Sequence, residues 1–310
     1  MKKKILVTGS NGLLGQKLVY ALRQRPDVEL IATARGENRL LEKKGYTYES
    51  MDITDAQRVR EVFAAYKPDA VINAAAMTNV DACETQREEC WAQNVTAVKY
   101  MVEAIADPHG GLSHCHFIHV STDFIFDGEK GGEYTEEDVP NPGSYYALSK
   151  WEGEKVVMAA KIKWAIARTI IVYGVVDNMS RSNLVLWVKN SLGKGQKINV
   201  ITDQFRAPTL AEDLAAGCIA IADKQAEGIF NLSGPKTYSI WDLAVQVADF
   251  WKLDKTLMNP VTTAELKQPA KRPLYTGFVI DKARKVLGYN PHDFPEGLRI
   301  VDDQLKKMGA

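Results

Sequence analysis

Through the first half of the chain, short apolar runs alternate with stretches whose apolar positions recur every three or four residues. The runs Lys4 to Thr8, Leu30 to Ala34, Ala70 to Ala74, His116 to Ser121 and Ala165 to Val172 read as strands. Between them, Leu14, Leu18 and Leu22 keep helical spacing, as do Val59, Val62, Phe63 and Tyr66, and then Trp91, Val95, Val98 and Val102. Strand followed by helix, repeated, predicts an α/β fold: a Rossmann-type doubly wound parallel sheet with helices on both faces. From about Tyr173 the pattern loosens, and the polar stretch Asp177 to Asn183 and the Pro-containing segment Asn259 to Pro273 interrupt shorter elements. The expected division is a large domain over 1–177 and a smaller region over 178–310. The helix Thr209 to Ala222 and the strand Gly228 to Leu232 are regular enough for 209–232 to rejoin the main sheet.

Composition narrows the partners. A chain of 310 residues exceeds what one ordinary core fills, which agrees with a main domain and an appended region. Lys plus Arg and Asp plus Glu each total 39, so no basic surplus exists to neutralise a phosphate backbone, and nucleic acid is not expected as a partner. No stretch approaches the ~20 apolar residues of a membrane span, and the basic start Met1 to Lys4 leads into an apolar run that Gly9 soon breaks. Cys83, Cys90, Cys115 and Cys218 show no CxxC pairing, and three lie in apolar-periodic segments, so a reduced, cytoplasmic protein is expected.

Gly9-Ser10-Asn11-Gly12-Leu13-Leu14-Gly15 follows a strand and opens an amphipathic helix. Three positions without a Cβ thus fall where the chain turns tightly and can approach a pyrophosphate, and the helix end offers free amides and a positive dipole. Alone, such a triplet is as readily a structural turn. Its place in the first βαβ unit makes 1–177 a dinucleotide-binding domain. Asp52-Ile53, just past a third strand, is placed to cap an adenine ring, and Asn73-Ala74-Ala75-Ala76 ends a strand with small residues that admit a ligand, although alanines also suit plain packing. At the end of the second strand, Ala34 stands where an NAD-specific site carries a carboxylate. Arg35 follows and Arg39 lies close, so a 2′-phosphate finds a guanidinium there unless Arg35 simply points to solvent. NADP(H) is therefore the expected cofactor, with NAD(H) as the alternative.

Tyr146 and Lys150 are four residues apart on a helix that starts near Tyr145, which puts both on one face. A phenol with a pKa of about 10 is a poor acid or base near neutrality, and an adjacent ammonium should lower it into use. Thr122, 24 positions before Tyr146 at a strand's carboxyl end, offers a hydroxyl to a substrate oxygen. Ser121 and Tyr145 remain the alternatives should the register slip by one residue. A Tyr and Lys on one helix face are common surface residues, and only their combination with the glycine loop and the strand-end Ser-Thr points to proton chemistry.

These segments, with Ala74 to Asp81, Ser121 to Gly128, Asp203 to Thr209 and Arg272-Pro273, make the chain resemble the extended short-chain dehydrogenase/reductase superfamily, and within it the dTDP-4-dehydrorhamnose reductases. The resemblance implies Thr122, Tyr146 and Lys150 as the catalytic triad and Asn94 as a further cofactor residue. It also implies a nucleotide-sugar substrate with Thr78, Val80, Asp123, Asn183, Gln204 and Arg206 as contacts from both regions, making 178–310 mainly substrate-binding, and it admits a homodimer. The reaction implied is NAD(P)H-dependent reduction of a nucleotide-activated 4-keto-6-deoxy sugar. An epimerase uses the same triad. A dehydratase places Asp-Glu after the Thr, whereas here Thr122 precedes Asp123-Phe124. Asp123 to Gly128, and an Arg before Pro208-Thr209, are also similar to the regulatory β subunit of methionine adenosyltransferase, so a cofactor-binding regulatory protein is the other class.

His114, His116 and His119 crowd one strand segment, but no carboxylate or cysteine cluster completes a metal site, and a structural role is expected. The acidic run Glu133 to Asp138 reads as a solvated loop. Tyr238, Trp241, Phe250 and Trp251 read as the packing face of a helix beginning at Ser239.

Overall fold

The computed structural model describes residues 2–178 and 182–309, so the polar stretch Asp177 to Asn183 lies partly outside the described residues. The order runs β1 (Lys3–Thr8), α1 (Leu13–Leu22), β2 (Val28–Ala34), β3 (Thr47–Ser50), α2 (Ala56–Tyr66), β4 (Ala70–Asn73), α3 (Val80–Thr85) and α4 (Arg87–Trp91). A π-helical turn, Ala92–Thr96, joins α4 to α5 (Ala97–Ala106), followed by β5 (His116–Thr122), α6 (Tyr145–Met158) and β6 (Lys163–Thr169). Next come β7 (Val172–Tyr173), α7 (Leu184–Gly193), β8 (Ile198–Ile201), β9 (Phe205–Arg206), β10 (Thr209–Leu210), α8 (Ala211–Lys224) and β11 (Gly228–Asn231). The chain finishes with β12 (Tyr238–Ser239), α9 (Ile240–Phe250), β13 (Met258–Val261), α10 (Thr263–Leu266), β14 (Tyr275–Thr276), α11 (Asp281–Leu287) and α12 (Phe294–Lys307).

Seven strands form one parallel sheet in the order β3-β2-β1-β4-β5-β6-β11. The chain leaves β1 toward β2 and β3, then returns to β4 on the other side, so the strand order reverses between β1 and β4. Ligands of such sheets bind in the crevice at the carboxyl ends there. The strands are apolar almost throughout because helices cover both faces: Ile5, Val7, Leu18 and Leu22 pack with Leu214 and Ile221 of α8 on one side, and Leu6, Val59, Phe63 and Met101 pack on the other. A third core holds α7, α9 and α12 together through Leu186, Val188, Leu243, Val247, Leu298 and Val301.

The run expected as one strand from Ala165 to Val172 is broken. β6 ends at Thr169, Ile171 adopts φ +28°, and Val172–Tyr173 turns away to pair with β10. The helix expected from Thr209 begins instead at Ala211, because Thr209 and Leu210 are used in that pairing. The acidic run is less solvated than its charge suggested: Glu136 is buried and accepts the Asn231 N–H at 2.9 Å, while Asp138 takes the Thr135 hydroxyl and the Lys130 ammonium. All four cysteines are free and buried.

Candidate active site

The turn after β1 is shaped by what a side chain would hit. Gly9 has φ +67°, and a Cβ there would lie 2.8 Å from the Ala75 nitrogen; one on Gly15 would lie 2.1 Å from the Gly9 oxygen. Gly12 caps α1 and donates its N–H to the Gly9 oxygen at 2.9 Å. Ala74, Ala75 and Ala76 form the facing wall, and Leu13 and Leu14 begin the helix whose first N–H groups point out of the turn. Asn11 fastens this turn to the segment after β2: its Oδ1 accepts the Arg39 N–H at 2.9 Å and its Nδ2 donates to the Glu37 oxygen at 2.8 Å. Arg35 projects into solvent at the end of β2, 3.9 Å from the Asp52 carboxylate. Asp52 accepts the Thr54 N–H and hydroxyl, whereas the Ile53 side chain is buried in the core. This cradle fits a dinucleotide pyrophosphate: bare backbone at three glycines, a helix N-terminus and a strand-end wall of alanines. Among the described residues, no cluster of three or more His, Cys, Asp or Glu could hold a metal ion.

Asn94, on the π-helical turn, does not face the crevice with a free amide. Its Oδ1 accepts the Met77 N–H at 2.8 Å, and its Nδ2 donates to the Met77 oxygen at 3.0 Å and the Ser149 hydroxyl at 2.9 Å. It pins the wall Ala74 to Met77 onto α6.

Thr122 is the last residue of β5, and Tyr146 lies in the first turn of α6, whose start Ser144 caps by accepting the Ala147 N–H. The Tyr146 phenol lies beside the Thr122 hydroxyl. Thr122 donates to Asp123 Oδ1 at 3.1 Å and accepts the Phe124 N–H at 3.2 Å. One turn along α6, Lys150 donates to the Val120 oxygen at 2.8 Å and stands 3.5 Å from His119 Nε2. The structure separates the alternatives left by the sequence: Tyr145 packs outward against Trp91 and the Arg87 guanidinium, and Ser121 lies on the other face of β5.

The electrostatics differ from the sequence expectation. Burial raises the Tyr146 pKa well above the ordinary phenol value, the neighbouring Thr122 hydroxyl pulls it back in part, and Asp123 pushes it up. Burial lowers Lys150 to about 8 against the opposing influence of Glu154. Lys150 thus does not bring the phenol down here: its ammonium is aimed at the β5 backbone, and desolvation of a phenolate outweighs it. Tyr146 is held in its acid form.

On the substrate side, Val80 packs with Met77, Cys83, Cys90 and Tyr146, and Thr78 is exposed just before α3. Asp123 is buried and its pKa raised by desolvation; it accepts the Thr276 hydroxyl at 2.5 Å and faces Arg206 Nε at 3.6 Å. The other three expected contacts face inward. Arg206 is 2% exposed and donates to the oxygens of Phe205, Pro273 and Leu274. Asn183 caps α7 and donates to the Gly174 oxygen at 2.7 Å, and Gln204 donates to Thr263 at 3.0 Å. These three brace the loops around the crevice.

Sequence reading did not find the Arg272–Asp81 ion pair at 2.8 Å, which ties the later region to α3 beside the site, nor the alignment of Asn73 and His119 beneath Lys150. The latter carried one signal: His119 is polar at an apolar strand position three residues before Thr122.

Comparison with known proteins agrees with this geometry. A family model described as the RmlD substrate binding domain matches residues 2–306. A dTDP-4-dehydrorhamnose reductase of Aggregatibacter actinomycetemcomitans is 30% identical, covering 96% of this chain and 98% of its own. The methionine adenosyltransferase 2 subunit beta of Bos taurus is 27% identical, covering 87% and 78%. Among solved structures, a dTDP-4-dehydrorhamnose reductase from Clostridium acetobutylicum superposes with a TM-score of 0.83 at 31% identity, over 98% of this chain and 99% of that one. Another from Bacillus anthracis, in complex with NADP, gives 0.83 at 25% identity over 98% and 100%. The chain belongs to the RmlD substrate-binding-domain family of the extended short-chain dehydrogenases/reductases.

Proposed function

We propose that this chain is an NADPH-dependent reductase of a nucleotide-activated 4-keto-6-deoxy sugar, acting as dTDP-4-dehydrorhamnose reductases do. The observation that carries the reading is the placing of Tyr146 and Lys150 of α6 against Thr122 and Val120 at the carboxyl end of β5, with β4 alone separating that strand from the glycine turn of β1. The glycine turn, Ala74 to Ala76, Asp52 with the Ile53 backbone, and Arg35 would hold the dinucleotide, whose reduced nicotinamide supplies the hydride when bound. Tyr146, kept protonated by burial, gives its proton to the carbonyl oxygen as that oxygen becomes an alkoxide. Thr122 orients the same oxygen, and Lys150 places positive charge beneath the phenol as its proton leaves. Asp123, Thr78 and Val80 line the sugar side, and the inward-facing Asn183, Gln204 and Arg206 keep the pocket's shape.

The test is oxidation of NADPH and NADH by purified protein against a panel of nucleotide-linked 4-keto sugars. Steady turnover with NADPH and a dTDP-linked 4-keto-6-deoxy sugar supports the reading. Tight NADPH binding with no turnover, together with capture of a protein partner, would replace it with a regulatory role. Cofactor that stays bound and returns to its starting redox state each cycle would make the protein an epimerase.

A further inference from the structure

Beneath Lys150 a line of buried polar groups crosses three neighbouring strands. Thr8 on β1 accepts the Ala75 N–H at 3.2 Å and donates to Asn73 Oδ1 on β4 at 2.6 Å. Asn73 Nδ2 donates to His119 Nδ1 on β5 at 3.0 Å, and His119 Nε2 faces the Lys150 nitrogen at 3.5 Å. All four side chains are at most 3% exposed, so each unmade hydrogen bond would cost its desolvation. The backbone is shaped to permit the approach: a Cβ on Gly153 of α6 would lie 3.5 Å from His119 Nε2 and 2.5 Å from the Asn94 oxygen.

We propose that His119 is a positioning residue for Lys150, and that its two neutral tautomers alternate according to whether Lys150 carries its extra proton. The argument is one of matched donors and acceptors. With Nδ1 accepting from Asn73, the ring hydrogen sits on Nε2 and needs an acceptor, which only the neutral amine of Lys150 offers. With Lys150 as ammonium, Nε2 must accept; the ring hydrogen then sits on Nδ1, and the Asn73 amide turns over to present its oxygen to it. In that arrangement Asn73 Nδ2 donates to the Thr8 hydroxyl. One proton gained or lost at Lys150 therefore reverses the His119 contact and both bonds of Asn73, while Thr8 accepts the Ala75 N–H against the glycine turn in either arrangement. The imidazole itself stays uncharged, since burial and the Lys150 charge both hold its pKa well below the ordinary value. Around the lysine, the other titratable groups are Tyr146 and Glu154 on its own helix, the latter held by Arg168 of β6, and Cys90 of α4, whose thiol donates to Ser149. Desolvation places the lysine transition near neutrality, at about 8.

The proposal deepens the reductase reading by giving the lysine a support, but its test needs neither substrate nor turnover, so the two can fail separately. Protein labelled with ¹⁵N-histidine is titrated by NMR from about pH 6 to about pH 10, and the two buried rings are told apart with His116→Leu. His119 should pass from the Nδ1–H to the Nε2–H tautomer with a midpoint near that of Lys150, and the transition should vanish in Lys150→Met. A single tautomer across the range in the unaltered protein, or a transition that survives Lys150→Met, would overturn it.

Discussion

At the scale of single residues, what decides the chemistry is burial more than charge. Tyr146 is 8% exposed and surrounded by Met77, Cys83, Cys90 and Phe124, so ionising it costs more than the Lys150 ammonium returns. A protonated phenol is the form a ketone reductase starts from. Tyr146→Phe keeps the packing and removes the proton, and turnover should fall about 10²- to 10⁴-fold while NADPH affinity holds. Tyr145→Phe should leave turnover within about threefold, because that ring contacts Trp91 and Arg87 rather than Thr122. Comparing initial rates of the two variants separates the neighbouring phenols; a larger loss in Tyr145→Phe would reverse the assignment. Arg35 bears on the choice of dinucleotide. Its contact with Asp52 is exposed and long, worth little, and readily exchanged for a phosphate. Arg35→Ala should weaken NADPH by roughly 10- to 150-fold and leave NADH nearly unchanged, as read from dissociation constants by fluorescence titration.

At the scale of elements, the sequence is most legible where one segment carries its own instructions. The glycine turn and α1 could be read because Gly9, Gly12, Gly15 and the helical spacing of Leu14, Leu18 and Leu22 all lie within one short stretch. The placing of Tyr146 and Lys150 on one helix was legible for the same reason, and so was the end of β1, with the ends of β4 and β5 each within one residue. What could not be read was made by distant partners. β9, Phe205–Arg206, is a strand only because Tyr238–Ser239 and Tyr275–Thr276 flank it, and two residues have no period. Asn183, Gln204 and Arg206 were expected as substrate contacts from the family resemblance, whereas the partners they hold here, Gly174, Thr263, Pro273 and Leu274, come from loops whose course no local pattern gives. The same holds for His119, whose neighbours Asn73 and Lys150 lie on other elements. Where the local signal is strong it is also testable. A Cβ at residue 15 would overlap the Gly9 oxygen, so Gly15→Ala must push α1 away from the turn. The expected result is a loss of about 1 to 3 kcal/mol in stability together with weakened NADPH binding, measured by denaturant melts and titration. Unchanged values for both would mean that the turn does not need this close approach.

At the scale of the whole molecule, the doubly wound sheet needs helices on both faces, and its central strands carry polar groups that have no route to water. His116 and His119 on β5 are both buried, and desolvation lowers His116 to about 4 and His119 well below its ordinary value. Both are therefore neutral in the fold near neutral pH, while in the unfolded chain they titrate near the ordinary value of about 6.5. Below that pH the unfolded state binds protons that the folded state refuses, so stability falls as pH drops through the window from 6.5 toward 4 and levels off for His116 once the folded group also protonates. The contribution of His116 is at most roughly 3 kcal/mol across that window. Asp123 and Asp213, whose folded pKa values are raised, act in the opposite sense nearer the carboxylate range. Asp81 and Asp127, whose values are lowered, add to acid destabilisation there instead. The histidine share can be isolated with His116→Leu, which fills the site without an ionisable group. Urea melts at pH 8, 6 and about 4.5 should show the unaltered protein losing stability at each acid step, and the variant losing less, with the difference between them growing as pH falls. Parallel losses in the two proteins would mean that His116 is not held neutral by the sheet, and the acid sensitivity would then have to come from the carboxylates.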